Sequence, residues 1–333
     1  MKVSAGLPVG VAALLFESAR ARRAVETRLV DRLEAEGYGE VILPVLDYAE
    51  PYDSLLTATG RGELYRFVDR GGDLLALRSD FTPMLARLLA PRLASLDLPL
   101  RLFYRGDVVR YQEERAGHLR ELFQLGAELL SDDAAAADRE VLRLFLRLLL
   151  ASGAAPVEVV LGLAGALDEP LLRAGRAMGP DGPARLAAAV ARRERGVARQ
   201  ASEILFEVVD HGLPGNPAAL GEEAAARLAD LLALRDDLAA EFPQVRLTVD
   251  LAEFARQARD PELLQAVGER AYYDGIVFQA HAGPSGLAVG GGGRYDRLFR
   301  GLGAAAPAVG FSLGLDRLCA PAPVTASVME VAP

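Results

Sequence analysis

With 333 residues, 51% of them apolar, the chain is globular and long enough to bury one large core or two ordinary ones. A formal charge of −9 argues against a broad nucleic-acid surface, which needs a concentrated field of basic side chains to release counterions. Of the 37 basic residues 36 are arginine, Lys2 being the single lysine, which excludes a phosphate loop with its GK[ST] lysine and an enzyme with a Schiff-base lysine.

The N-terminus has no apolar segment followed by a cleavage site, which predicts a cytoplasmic protein without a secretory signal. From Val11 to Glu36 the apolar residues Phe16, Val25, Leu29 and Leu33 recur at helical spacing, and Gly37 follows as a stop, which predicts one amphipathic helix. GEVILPVLDY reads as a strand that ends at, or lies on, a sheet edge at Pro44. LLALRSDFTPMLARLLA predicts a strand over 74–78 and then a helix with Thr82 as N-cap and Pro83 at its first position. Residues 101–111 and 121–130 read as a long antiparallel hairpin around the polar loop QEERAGHLR. On its second strand Leu122, Gln124, Gly126, Glu128 and Leu130 share one face, a pattern that fits either a binding face or a solvent-facing one.

Residues 138–152 predict a helix and VEVVLGL a short strand. The apolar run over 144–167 is broken by Arg147, Pro156 and Glu158, short of the roughly 18 uncharged residues of a membrane span, so no membrane partner is expected. From about 165 to 242 the chain is rich in Ala, Arg and Glu with helical periodicity, interrupted by GPDGP and GLPGNP, which predicts an inserted helical lobe. VRLTVDL and AYYDGIVFQAH read as strands, a glycine run leads into GGGGRYDRLFRGL, and AVGFSLGLDRLCA reads as a strand running into a helix. Cys319, the single cysteine, permits no intrachain disulfide or cysteine metal cluster and reads as a small buried apolar residue. No HExxH, paired metal-ligand carboxylates or Ser/His/Asp set appears, and His118, His211 and His281 are isolated, so neither a metal nor a cofactor is expected.

Four distant segments carry a pattern: LRSDFTP (77–83), RYQEERAGHLRELFQLGAE (110–128), AYYDGIVF (271–278) and GFSLGLDRL (310–318). Together they resemble histidyl-tRNA synthetase. Pro44, Arg110 and Arg317 stand where the three class II synthetase motifs have their proline, arginine and arginine. The resemblance implies an α+β fold, a class II antiparallel sheet flanked by helices, and a homodimer formed through the first motif, with the synthetase-like core over 1–318, the helical insertion about 165–242 and a short tail over 319–333. It also implies a histidine pocket of Asp80, Thr82, Arg110, Gln124, Glu128, Tyr272 and Tyr273. The chemistry fits, since an α-ammonium group takes acceptors such as Asp80 and Gln124, a donor imidazole takes an acceptor such as Glu128, and the tyrosines add aromatic walls. With Gln124 and Glu128 roughly 13 Å apart along the strand, their side chains would close on opposite ends of one ligand. Each residue also has a plainer reading: Asp80 or Thr82 as helix caps, Arg110 paired with a carboxylate, and one of two adjacent strand tyrosines turned away.

Departures from the synthetase pattern point to binding without catalysis. The family's catalytic arginine, four residues before the tyrosine pair, is Gly268, with Arg270 as a displaced substitute. Gln112 replaces a glutamate, and Glu113-Glu114 stand where the enzymes have Arg-Pro, a pair that repels ATP phosphates. The chain stops at Pro333, where synthetases continue with an anticodon-reading domain, so no tRNA partner and no catalytic residue are expected; Arg110 and Arg317 keep at most a residual contact with an anion or nucleotide. A synthetase core so altered resembles the regulatory subunit of ATP phosphoribosyltransferase, which serves the first step of L-histidine biosynthesis. That resemblance implies a chain inactive alone, assembled in a larger hetero-oligomer with the short-form ATP phosphoribosyltransferase catalytic subunit, and an L-histidine site used for feedback inhibition. The alternatives are an enzyme that forms an amino-acid adenylate with the help of Arg270, and a free-standing histidine sensor.

Overall fold

The computed structural model describes residues 7–56, 58–112, 119–267, 272–283 and 288–319. Glu113, Glu114, His118, Gly268, Arg270 and the tail beyond Cys319 lie outside the described residues.

The N-terminal helix runs Phe16–Ala35 and buries Leu29 and Leu33, while Gly37 closes it in the left-handed region at φ 82°. GEVILPVLDY is not one strand but two, β1 (Gly39–Glu40) and β2 (Leu46–Tyr48), in separate sheets. Between them the chain is bent around buried Arg78, whose guanidinium donates to the carbonyls of Leu43, Pro44 and Asp107. β3 (Arg66–Val68) and β4 (Leu74–Leu77) join β2 in a three-stranded antiparallel sheet ordered β2-β4-β3. The helix after β4 spans Phe81–Leu89, and its N-cap is Asp80, not Thr82. The Asp80 carboxylate accepts the Thr82 N–H at 3.0 Å, which leaves the Thr82 hydroxyl for a partner across the site.

β5 (Leu100–Val109), β6 (Glu121–Leu130), β7 (Val157–Leu163), β8 (Arg246–Val249), β9 (Ile276–Ala282), β10 (Ala288–Arg294) and β11 (Ala308–Gly314) form, with β1, an eight-stranded sheet ordered β1-β5-β6-β11-β10-β9-β7-β8. Its six inner strands are antiparallel, as expected, but both edges pair in parallel: β1 on β5 and β8 on β7. β8 reaches its place only after the helices between β7 and β8, a crossover that parallel pairing requires. The expected strand AYYDGIVFQAH begins only at Ile276, so Tyr272 and Tyr273 precede it.

Alternation decides the two faces of the sheet. From β6, Leu125, Ala127 and Leu129 enter the main core with Phe103, Phe145 of the helix Ala134–Ser152, Phe278 and Phe311. Gln124, Gly126 and Glu128 point the opposite way, toward the helix Phe81–Leu89. They are buried too, so this is not the solvent-facing strand that alternation alone allowed. Between β7 and β8, residues 168–241 form the helices Asp168–Arg176, Gly182–Ala191, Arg195–Ala201, Glu203–His211 and Glu222–Glu241, whose leucines continue the same core.

Candidate functional site

β5, β6, β10 and β11 build the floor of the site, and small residues make room on it. Gly126 faces Tyr104 across the β5–β6 ladder, and a Cβ there would stand 2.4 Å from the Tyr104 hydroxyl oxygen. Gly310 faces Glu128 across the β6–β11 ladder, and a Cβ there would stand 1.6 Å from Glu128 Oε2. Both glycines are required by close approach, because neither neighbour is at the loose end of an exposed side chain.

Glu128, 1% exposed, is enclosed by hydroxyl groups. Oε1 accepts from Thr82 Oγ1 at 2.7 Å and from the Tyr104 hydroxyl at 3.2 Å, and Oε2 accepts from the Tyr295 hydroxyl. Burial pushes its carboxyl up to about 7, against the three donors, which pull it down. The Tyr104 and Tyr295 phenols are driven well above their ordinary value, first by burial and next by the Glu128 charge.

Beside this cage a cavity of ≈ 370 Å³ opens over the sheet, toward the small end of the ~300–1,000 Å³ typical of small-molecule sites. Arg110 and Arg317 share its wall; Arg317 donates to the Ala288 carbonyl at 2.8 Å, and its pKa is lowered by burial and then by the Arg110 charge. Arg110 Nε donates to the Ser79 carbonyl at 2.6 Å, and its guanidinium stands 3.5 Å from the Asp80 carboxylate. Gln112, Gln124, Gln257 and Gln279 add amides, and the Gln112 side-chain carbonyl oxygen is buried without a partner among the described residues. Two guanidiniums at one end and amides along the walls suit a small zwitterion, with its carboxylate on the arginines.

Of the seven residues expected around a histidine, Arg110, Gln124 and Tyr273 line the cavity, as does Arg317. Asp80 stands behind Arg110. Thr82 and Glu128 bond each other rather than facing the cavity, and the Tyr104 phenol lies over Gly126, between Gln124 and Glu128. Closure of Gln124 and Glu128 on opposite ends of one ligand is therefore not the geometry of this state. Tyr272 packs edge-on against Tyr273, ring centroids 4.8 Å apart, and stacks on Tyr295 at 6.1 Å. Because both tyrosines lie before β9, strand alternation does not send them to opposite faces. Asp274 fixes that segment: its carboxylate accepts the N–H groups of Asp296 (3.0 Å) and Arg297 (3.1 Å) at the start of the helix Asp296–Gly301, and an Arg300 N–H at 2.6 Å.

A profile of the family described as histidyl-tRNA synthetase matches residues 10–318. The chain belongs to the histidyl-tRNA synthetase family. Within it, the ATP phosphoribosyltransferase regulatory subunit of Moorella thermoacetica is 35% identical over 330 residues, covering 94% of this chain and 80% of that protein. The one from Symbiobacterium thermophilum is 36% identical over 325 residues, covering 94% and 78%. The crystal structure of an ATP phosphoribosyltransferase regulatory subunit/histidyl-tRNA synthetase from Bacillus halodurans superposes with a TM-score of 0.77 at 25% identity, over 96% of this chain and 83% of that one. Both resemblances read from the motifs, to the synthetases and to these regulatory subunits, therefore hold. In this member of the histidyl-tRNA synthetase family, sequence reasoning missed Tyr104, Tyr295 and Asp274. Gly126, isolated between two polar residues of one strand face, was the signal for a bulky neighbour opposite, and the RYD of GGGGRYD held Tyr295; nothing local marked Asp274.

Proposed function

We propose that this chain is the non-catalytic regulatory subunit of ATP phosphoribosyltransferase, acting in histidine biosynthesis in the cytoplasm, and that it binds L-histidine in the sheet cavity to inhibit its catalytic partner. The observation that carries the histidine assignment is the meeting of Arg110 and Arg317 with Gln124 and the side-chain carbonyl of Gln112, which has no partner among the described residues, in one cavity beside Tyr273. That arrangement supplies cationic donors for a carboxylate and acceptors for an ammonium group within a single amino-acid-sized space. Asp80, Thr82, Glu128 and Tyr272 form the adjoining wall in this reading, and the hydroxyl cage of Glu128 opens when an imidazole competes for its carboxylate. Histidine regulates by binding one state of the complex more tightly than the other.

Two copies pair through the class II core in the same reading, within a larger assembly with the catalytic subunit. What supports this is the outer face of the small sheet, where Leu46, Tyr48 and Phe67 are exposed in register with half-buried Leu75 and Leu77. The test is phosphoribosyl transfer by the short catalytic subunit, measured without this chain, with it, and with added histidine. Activity that needs the chain and falls with histidine is expected, and Tyr273→Ala blunts the inhibition while assembly persists. Histidine-dependent ATP–pyrophosphate exchange by the chain alone would overturn the assignment.

A further inference from the structure

A second, larger cavity of ≈ 750 Å³ lies where the helices between β7 and β8 meet the rest of the chain, and shares no lining residue with the sheet cavity. Arg227 of the helix Glu222–Glu241 faces it from one side; Arg259, in the loop before the helix Pro261–Val267, and Arg297 face it from the other. The donors of these guanidiniums are incompletely used. Among the described residues Arg227 donates once, to the Ala164 carbonyl at 3.1 Å, and has no ion pair. Its pKa is lowered by burial and then by the charge of Arg259, so two like charges face each other. Among the described residues the Arg259 Nε is buried without a partner, and the one carboxylate on this guanidinium, Glu223 at 2.9 Å, is 74% exposed. The stem of Arg259 is held against Gly165, where a Cβ would come within 2.7 Å of it. Arg297 reaches the Arg259 carbonyl at 3.0 Å and Asp274 only at 3.9 Å.

Of the acids around the cavity, Asp168, Asp260 and Glu169 are, by contrast, already engaged. Asp168 accepts the N–H groups of Arg259 at 2.7 Å and Asp260 at 2.6 Å. Asp260 caps the helix that follows through the N–H groups of Glu262 and Leu263. Glu169 pairs with Arg173, and Glu222 is exposed at the first turn of its helix. Arg227 and Arg259 are thus left with donors to spare, which a multivalent oxyanion matches better than water does.

We propose that this cavity binds a small molecule through a phosphate or pyrophosphate group held between Arg227 on one side and Arg259 and Arg297 on the other. The site is independent of what the sheet cavity holds and of the regulatory reading. Because its two walls come from the inserted helices and from the remainder of the core, occupancy would fix one against the other.

The test uses the full chain, titrated calorimetrically with inorganic pyrophosphate, phosphate and ribose 5-phosphate at constant ionic strength. Saturable binding is expected, weakened about tenfold or more by Arg227→Gln and by Arg259→Gln, the loss of one charge-assisted hydrogen-bond set. Arg227→Lys, which keeps the charge, recovers part of it, and circular dichroism verifies that each variant is folded. Ribose 5-phosphate binding more tightly than phosphate assigns the site to a phosphorylated organic molecule, and equal affinity assigns it to free phosphate. The proposal is overturned if no probe saturates, or if Arg110→Ala abolishes binding while Arg227→Gln does not, which would place the anion in the sheet cavity.

Discussion

Glu128→Gln removes the one titrating group at the centre of the hydroxyl cage and keeps its shape. In the unfolded chain this carboxyl titrates near 4.5, and in the folded chain burial carries it to about 7. The folded state therefore holds the proton more tightly than the unfolded state. Between those two values the folded chain is protonated and the unfolded chain is not, so raising the pH lowers stability, and the loss is complete above about pH 7. One pKa unit corresponds to ~1.4 kcal/mol, which makes the whole effect about 3 kcal/mol and the part between pH 5 and pH 8 about 2.5 kcal/mol. Gln at this position has no such term. Urea unfolding of both proteins, followed by far-ultraviolet circular dichroism because the chain contains no tryptophan, isolates the group from all others that titrate in the same range. The stability of Glu128→Gln relative to the parent should rise by about 2–3 kcal/mol from pH 5 to pH 8. A difference that stays constant across this range would refute the placement of Glu128 as a buried carboxyl with a raised pKa.

Gly310→Ala puts a methyl group into the Glu128 carboxylate and should cost about 2–4 kcal/mol in urea unfolding; shortening the carboxylate in the same chain, Glu128→Ala, should restore part of it. Asp274→Ala strips the acceptor from two helix N–H groups and from Arg300, and a loss of about 2 kcal/mol is expected in the same assay. Leu46→Glu combined with Tyr48→Glu places charges on the exposed face of the small sheet, and light scattering should report a halved mass with unchanged circular dichroism. An unchanged mass would move the dimer contact elsewhere.

The helical segments and the β5–β6 hairpin were legible because each is governed by short-range rules: periodicity, stop signals and a polar loop between two strand patterns. Four widely separated motifs carried the family for a related reason, since residue type and order survive without any knowledge of contacts. Where local rules competed, the reading slipped. LDY of GEVILPVLDY left the main sheet because Arg78, thirty residues further on, collects the carbonyls of Leu43 and Pro44. Thr82 lost the cap to Asp80 because its hydroxyl has a better use on buried Glu128.

By itself the sequence determined the fold class, the inserted helices, the family and the residue types available for binding an amino acid. Only the tertiary structure decided that Arg110, Gln124, Tyr273 and Arg317 line a common cavity while Glu128 lies beside it among three hydroxyl groups. It also decided that Arg227 and Arg259 confront each other across a separate seam. The physical reason is that periodicity fixes which way a side chain points from its own element, whereas burial, charge pairing and the width of a cavity depend on which elements meet, and no short stretch of chain carries that information.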